Sequence, residues 1–328
     1  MEQVFHADKS IDNQKIRLDS YLTETLPDMS RSHIQTLIRS GEITVNGTSV
    51  KPGYALNEGD TIRISERDPE PAGIEPEDIP LDIVYEDSDV IVINKPKGMV
   101  VHPANGHYTG TLVNALLYHC RDSLSGINGE LRPGIVHRID MDTTGLIIAC
   151  KNDHAHTSIA AQLEEHSITR RYIALCYHNI TEDSGTIDKP LDRSRTDRKL
   201  MAVCRPGEGR NAVTHYRVLE RFPVKGNAGS GNTFNPTGLP LTLIECRLET
   251  GRTHQIRVHM SSIGHPLAGD EAYGIRKDPL KGHGQYLHAA VLGFTHPTTG
   301  ERLTFEAPLP DYFKETLDRL RTGARSSI

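Results

Sequence analysis

A short acidic, proline-rich segment divides the chain into two unequal parts. Residues 66–80 read ERDPEPAGIEPEDIP, with four prolines and no apolar periodicity. Like charges repel along such a segment and proline disfavours regular structure, so we expect an extended linker. The 328 residues of the chain are enough for two domains. The sequence therefore predicts a small domain over residues 1–66, a linker over 67–80 and a larger domain over 81–328.

The net charge of −6 is unevenly distributed along the chain. Residues 67–89 carry nine acidic side chains and one basic side chain, whereas residues 90–328 carry 29 basic and 24 acidic ones. Phosphate binding depends on local basic surfaces more than on the charge of the whole chain. A nucleic-acid partner therefore remains compatible with the composition.

Composition also bounds the compartment. No run of about 18 apolar residues occurs, and the first ten residues, MEQVFHADKS, lack the features of a signal peptide. The five cysteines are odd in number and form no CxxC pair, which is typical of reduced thiols. We expect a soluble cytoplasmic protein that has no membrane partner and acts as a monomer.

The small domain is predicted to contain a helix followed by a hairpin. Ile34, Leu37 and Ile38 have helical spacing, and Asn46-Gly47 is a strong signal for a two-residue hairpin. The opposite face of the helix is basic, which by charge alone is more typical of an ordinary solvated surface than of an RNA-binding one. Residues 17–60 resemble an S4 RNA-binding domain, however, and this resemblance implies that Arg31, Arg39 and Lys51 face RNA.

The larger domain is predicted to have the α+β class. Many short β-rich runs alternate with few helices, and regular βαβ alternation is absent. This pattern predicts a large antiparallel or mixed sheet. A glycine- and asparagine-rich insertion, KGNAGSGNTFNPTGLP at residues 225–240, is expected to be a surface loop.

Several common chemistries lack their signatures in this sequence. There is no GxGxxG after a strand, no GxxxxGK[ST], no HExxH and no GxSxG. The nearest histidine pairs, His154/His156 and His254/His259, have spacings that turn their side chains apart on a helix. We therefore expect no cofactor and no metal.

Two polar clusters follow strand-like runs in the larger domain. The stretch GIVHRIDMDTTGLIIACKND covers residues 134–153, and LETGRTHQIRVH covers residues 248–259. The first contains the carboxylates of Asp140 and Asp142, and the second contains the guanidinium groups of Arg252 and Arg257. A carboxylate in one loop and a guanidinium in another are the parts of a charge pair in a cleft. By spacing alone, the first cluster is more typical of a loop with a capped turn.

Three motifs carry a resemblance to a known family. HRIDMDTTG, RRYIAL and GRTHQIRVHMSSIGHPLAGDEAYG, in this order, resemble the RluA-type pseudouridine synthases over nearly the whole chain. The S4 domain and the stretches DRSRTDRKLMAV and GRNAVTHYRV look most like the RluD subgroup. The resemblance implies a pseudouridine synthase fold and isomerisation of uridines in large-subunit ribosomal RNA, free or in a pre-ribosomal particle, without a cofactor.

The resemblance also implies roles for individual residues. Asp140 matches the catalytic aspartate, Arg257 the arginine that pairs with it, and Tyr172 the active-site tyrosine. Arg138 matches an arginine that lies near the flipped nucleotide. Met141 stands where the family commonly has lysine, which removes one candidate phosphate contact.

Two other functions remain as alternatives. A non-catalytic RNA-binding or ribosome-assembly protein would keep the fold without needing Asp140, Tyr172 and Arg257 together. A glycosyl hydrolase would use Asp140 and Asp142, but two carboxylates on one short loop do not readily flank a glycosidic bond. We interpret Asp142 as structural.

Overall fold

The computed structural model describes most of the chain as two compact units. The described residues are 2–6, 16–26, 31–65, 74–103, 107–127, 132–224 and 238–322. The units comprise Met1–Gly73 and Ile74–Ile328. Most of the expected surface insertion and the first half of the expected linker lie outside the described residues.

The smaller unit combines two helices with a four-stranded antiparallel sheet. Its elements are β1 (Glu2–His6), α1 (Leu18–Thr25), α2 (Arg31–Ser40), β2 (Ile43–Val45), β3 (Thr48–Ser49) and β4 (Thr61–Ser65). The strands are ordered β1-β4-β2-β3. The apolar stripe of α2, formed by Ile34, Leu37 and Ile38, is buried in the core of this unit.

The predicted hairpin lies between β2 and β3. Thr44 pairs with Ser49 and Val45 with Thr48. Asn46 and Gly47 have φ angles of 51° and 73°, as the two central residues of a type I′ turn require. The hairpin prediction is thus confirmed.

The larger unit is built on a nine-stranded mixed sheet, which confirms the predicted α+β class. Its elements are β5 (Ile83–Glu86), β6 (Val90–Lys95), α3 (Leu112–Cys120), β7 (Thr144–Cys150), α4 (Asp153–Glu164), β8 (Thr169–Tyr177), β9 (Ser184–Asp188), β10 (Leu191–Arg193), β11 (Met201–Val203), β12 (Val213–Phe222), β13 (Leu241–Leu248), α5 (Gln255–Ser262), β14 (Leu287–Thr295), β15 (Arg302–Glu306) and α6 (Asp311–Thr322). The order is β5-β6-β7-β14-β8-β13-β12-β9, with β15 also paired to β14. Only the β7–β14 pair is parallel among the described strands of this sheet.

Both faces of this sheet are covered, which explains why every residue of β7 is buried. Ile147 of β7 packs in the same cluster as residues of α3 and α5. Ile148 points to the opposite face, where it packs with Ile159 of α4. The α5 face also contains Tyr172 of β8. Within the described ranges, no helix has the length and apolarity needed to cross a membrane.

The second half of the expected linker lies against the larger unit. Ile74 and Ile79 pack on its main apolar cluster. The Glu77 backbone N–H donates to the carbonyl of Asn114 at 3.0 Å, and the Asn114 side chain donates to the carbonyl of Glu75 at 2.8 Å. Two partly buried isoleucines thus hold this segment against the larger unit, although Glu75 and Asp78 stay exposed.

Candidate active site

Asp140 lies in a tight loop immediately before β7. The backbone N–H of Thr143 donates to the carbonyl of Asp140 at 3.1 Å, which closes the turn. Gly145, with φ of 104°, lies in β7 where this strand pairs in parallel with β14, opposite Ala289. A Cβ atom there would overlap with the carbonyl oxygen of Ala289, so only glycine permits this approach. The loop is thus held on the central parallel pair of the sheet.

A buried lysine supports the same loop from behind. Lys95 ends β6 and is fully buried. Its Nζ donates to the carbonyl oxygens of Pro96, Met99 and Met141 at 2.7, 2.9 and 3.0 Å. Burial lowers the pKa of Lys95 to about 7, while nearby Asp142 and Asp140 favour its charged form. Through the Met141 carbonyl, Lys95 ties the Asp140 loop to the end of β6.

Arg257 of α5 holds the Asp140 carboxylate. Its Nη1 donates to Oδ2 of Asp140 at 2.9 Å. Its Nε and Nη2 donate to the two oxygens of Asp270 at 2.7 and 2.8 Å. The guanidinium is thereby fixed by a bidentate pair on one side and presents its remaining edge to Asp140.

The charges of this network stabilise one another despite burial. Burial disfavours the charge of Arg257, but Asp270 and Asp140 outweigh it and raise the pKa of Arg257 above its usual value. Burial likewise opposes ionisation of Asp270, yet Arg257 holds the pKa of Asp270 below its usual value. Both residues are therefore ionised near neutral pH.

The predicted catalytic residues line one cleft of about 800 Å³. Asp140, Tyr172, Arg257 and Arg138 all contribute to its wall. Tyr172 is mostly buried on β8, between Cys246 of β13 and Ala289 of β14. Burial raises the pKa of Tyr172, so its hydroxyl is protonated at neutral pH.

The cleft is basic although the whole chain is acidic. Among the described residues, only Asp140 and Glu164 supply carboxylates to its wall. Six arginines line it: Arg132, Arg138, Arg170, Arg210, Arg252 and Arg257. This concentration of guanidinium groups suits a polyanionic ligand.

The predicted RNA-binding cations of the smaller unit are exposed at its surface. Arg31 pairs with the buried carboxylate of Asp19 at 3.2 Å, with about half of the arginine side chain exposed. Arg39 donates to Oε1 of Gln35 at 3.5 Å. Lys51 is exposed, and no described residue bonds to its ammonium group. Arg39 and Lys51 thus have no carboxylate partner in the part of the chain that is described.

Sequence reasoning missed several residues that shape the site. Asp270 lies within the quoted motif HPLAGDEAYG, but its type and spacing do not reveal that it clamps Arg257. Lys95 follows a β-rich run, where a lysine usually reaches solvent. The His254–Tyr273 contact, at 2.8 Å, joins two separated parts of one motif. In the described ranges, no group of three or more side chains could hold a metal ion.

Comparisons with known proteins identify the family and relatives of this chain. A family model described as RNA pseudouridylate synthase matches residues 89–262, and the S4 domain model matches residues 16–62. An uncharacterized RNA pseudouridine synthase of Bacillus subtilis (strain 168) is 52% identical over 305 residues, covering 93% of this chain and 94% of the relative. Ribosomal large subunit pseudouridine synthase D of Zymomonas mobilis is 48% identical over 303 residues, 90% of each chain.

A solved structure shares the architecture. The structure described as human RNA pseudouridylate synthase domain containing 1 has a TM-score of 0.54 and 25% sequence identity. The match covers 77% of this chain and 97% of the human chain.

Proposed function

The chain belongs to the RNA pseudouridylate synthase family, and from this premise we propose that it isomerises uridines of large-subunit ribosomal RNA with Asp140 as the catalytic group. The observation that carries the assignment is the Arg257-held carboxylate of Asp140 in a basic cleft. The name of the Zymomonas relative supports the choice of ribosomal RNA.

The reaction is an isomerisation, so its atoms and electrons balance without a co-substrate. The N1–C1′ bond of uridine breaks, the base turns, and a C5–C1′ bond forms. The hydrogen on C5 leaves as a proton, and N1 gains one. The residues at the cleft therefore only have to bind the nucleotide, provide a charged group at the ribose and move protons.

Asp140 is suited to the first step because it faces the cleft as a carboxylate beside a guanidinium. Attack on the nucleotide and stabilisation of a cation-like ribose both require the ionised form. Arg257 places a positive charge beside Asp140, donating to its Oδ2 at 2.9 Å. Because Asp270 holds the other edge of Arg257, the guanidinium is already in place before RNA arrives.

Tyr172 and Arg138 are proposed to receive the flipped nucleotide. Extracting a uridine from folded RNA costs a few kcal/mol, and stacking on an aromatic face returns about 1–3 kcal/mol. Tyr172 supplies the aromatic ring in the cleft. Because its hydroxyl is protonated, it can serve at C5 only as a relay that accepts the C5 proton while it passes its own hydrogen on. Arg138, exposed at the same wall, can fill the space that the base leaves or bind phosphate.

The smaller unit is proposed to tether the enzyme to RNA. Arg31, Arg39 and Lys51 are exposed on an S4 domain, where they can reach phosphates. A second binding module raises the effective concentration of the cleft near its substrate. Modest affinity in each unit is then sufficient.

We further propose that the protein acts as a monomer in the cytoplasm. One chain supplies Asp140, Tyr172 and Arg257 to a single cleft. All five cysteines are free thiols, as a reducing compartment favours. Light scattering of the active protein tests the monomer.

The two alternative functions fit the geometry less well. A glycosyl hydrolase that uses Asp140 and Asp142 would need both carboxylates in the cleft, but Asp142 is not among the residues that line it. A pure binding protein would not require the buried Arg257–Asp270 pair aimed at an accessible carboxylate.

Pseudouridine mapping in ribosomal RNA tests the proposed function. Carbodiimide-dependent reverse-transcription stops are compared between cells with the protein, without it and with only D140N. We expect at least one large-subunit stop that requires the unmodified protein. An identical map in all three strains would overturn the proposal.

A further inference from the structure

His254 approaches the carboxylate oxygen of Asp140 that Arg257 does not hold. Its Nε2 lies 3.8 Å from Oδ1 of Asp140, whereas Arg257 donates to Oδ2. His254 precedes α5 with a left-handed backbone, φ 56° and ψ 20°. This conformation is unfavourable for a residue with a side chain, and such strain is concentrated at functional sites.

The hydrogen bonds around Tyr273 favour one tautomer of His254. The backbone N–H of Met201 donates to the Tyr273 hydroxyl oxygen at 2.8 Å. The hydroxyl hydrogen of Tyr273 then has one acceptor among the described residues, Nδ1 of His254 at 2.8 Å. Because Nδ1 accepts, a neutral ring carries its hydrogen on Nε2, the nitrogen nearer Asp140.

The surroundings of His254 favour the neutral ring. Burial lowers the pKa of His254, and Arg257 and Arg138 add to this effect. Asp140 and Asp270 oppose it without reversing the direction. The ring can thus donate from Nε2 while Nδ1 remains an acceptor.

We propose that His254 is a positioning residue that donates from Nε2 to Oδ1 of Asp140 when RNA occupies the cleft. The proposal rests on the assigned role of Asp140. At 3.8 Å the two atoms are too far apart for a hydrogen bond, and catalytic hydrogen bonds commonly tighten only in the complex with substrate. Both side chains are partly exposed, so rotation can close the gap.

A donor on each oxygen restrains the plane of the carboxylate. With Arg257 alone, Asp140 is held at Oδ2 and can still rotate about its Cβ–Cγ bond. His254 would remove this freedom and leave each oxygen a lone pair for the nucleotide. Small errors in the orientation of a reacting group lower the rate strongly, so the gain is expected in chemistry more than in RNA binding.

Three substitutions of His254 separate this role from a structural one. The amide nitrogen of Gln can occupy the place of Nε2, whereas that of Asn reaches only the place of Nδ1. We expect H254A and H254N to lower the single-turnover rate by about 10- to 100-fold with RNA affinity unchanged. H254Q should recover most of the loss, to within about fivefold of the unmodified protein.

Tyr273 provides an independent test through the choice of tautomer. Y273F removes the hydroxyl that donates to Nδ1, so the ring can place its hydrogen on either nitrogen. We expect Y273F to slow turnover severalfold in the presence of His254 and to have little further effect in the H254Q background. Thermal unfolding of each variant shows whether the fold is retained.

The outcomes distinguish this inference from the assignment of function. If the unmodified protein turns over RNA and D140N does not, then wild-type rates in H254A overturn the positioning role alone. H254Q as slow as H254A, or a loss confined to RNA affinity, also overturns it. Absence of turnover in the unmodified protein would overturn the proposed function instead.

Discussion

The functional cations of the two units differ in how far they are buried and in whether they are paired with carboxylates. In the larger unit, Arg257 is shared between Asp140 and Asp270, with the arginine and Asp270 largely removed from solvent and Asp140 partly exposed at the cleft. In the smaller unit, Arg39 and Lys51 extend from the surface without a carboxylate partner among the described residues. In the larger unit, hydrogen bonds fix the positions of the charged groups. In the smaller unit, the long side chains can change conformation to contact a ligand.

This difference indicates that the larger unit determines the rate of the reaction and the smaller unit contributes to RNA affinity. Buried, mutually oriented charges need little reorganisation during a reaction and are weakly screened by salt. Exposed cations gain most of their binding energy from phosphates and lose it as salt rises. Changes in the larger unit should therefore alter rates, and changes in the smaller unit should alter RNA affinity.

The largest expected effect is the loss of the Asp140 charge. D140N keeps the size of the side chain and removes its negative charge, so RNA binding should persist while turnover falls by more than about 10³-fold. Release of tritium from RNA containing 5-tritiated uridine measures turnover, because the C5 hydrogen leaves in the reaction.

D142N is the matched control, since Asp142 lies on the same loop but does not line the cleft. It should retain much of the activity. More than about a tenth of wild-type turnover in D140N, a barrier change under about 1.4 kcal/mol, would contradict the role of Asp140.

Substitutions of Tyr172 probe the cleft wall and should have the next largest effect. Y172F keeps the aromatic face and loses the hydroxyl, whereas Y172L loses both. We expect Y172L to lower turnover by about 10²-fold because stacking is removed. If the hydroxyl moves the C5 proton, Y172F should bind RNA normally yet stall after the new C5–C1′ bond has formed.

The Y172F result distinguishes stacking by Tyr172 from proton transfer by its hydroxyl. Near wild-type activity in Y172F together with a slow Y172L would assign stacking alone. Full activity in both variants would return Tyr172 to an ordinary core-edge residue. Single-turnover assays with a filter-binding measurement on the same RNA resolve these cases.

Removal of residues 1–66 tests the other side of the comparison. Binding to long ribosomal RNA should weaken, and its salt dependence should flatten by about 0.7 to 0.9 log units for each phosphate that the protein no longer neutralises. Turnover of a short stem-loop at saturating concentration should survive. An unchanged salt slope would show that the smaller unit does not act as a tether.

A full-length variant provides the control for this deletion. R39A combined with K51A removes two exposed cations and leaves the core of the smaller unit intact. It should reproduce part of the change in salt slope with no change in the maximal rate.

The smallest expected effect is a loss of folding stability of the larger unit at mildly acidic pH. Nε2 of His137 accepts the backbone N–H of Ile148 at 3.1 Å, and burial lowers the pKa of His137 to about 3. Unfolded histidine has a pKa of about 6.5, so between these values the unfolded chain binds more protons. Stability conferred by the neutral ring should therefore fall as the pH drops below about 6.5.

Urea unfolding at two pH values measures this effect. Because His137 is partly exposed at the cleft, we expect it to contribute about 1 kcal/mol of the loss between pH 6.5 and pH 5. H137Q can still accept from Ile148 but does not titrate, so its loss should be smaller by that amount. An equally steep loss in H137Q would contradict the assignment.

Local patterns in the sequence predicted much of the fold. The apolar spacing of α2 and the Asn46-Gly47 turn depend on neighbouring residues, and both are present in the structure. The mixed sheet followed from many strands without βαβ alternation. The packing of Ile74 and Ile79 depends on an apolar surface distant in sequence, which residues 66–80 alone do not reveal.

The site was predictable to a different extent. The resemblance supplied Asp140, Tyr172 and Arg257, and the structure brings these three residues to one cleft. It did not supply Asp270, which holds Arg257, or Lys95, which holds the Asp140 loop. Lys95 contacts the Asp140 loop across 46 residues of sequence, and a contact of this kind leaves no local spacing signal.

Nucleoside analysis of RNA treated with the purified protein tests the central claim most directly. Unmodified large-subunit ribosomal RNA is incubated with the protein or with D140N, digested, and separated by chromatography. The account predicts that pseudouridine appears at the expense of an equal amount of uridine, with no free uracil, and that D140N forms none. Free uracil would indicate a hydrolase, and an unchanged uridine content would indicate a binding protein; either result would contradict the account.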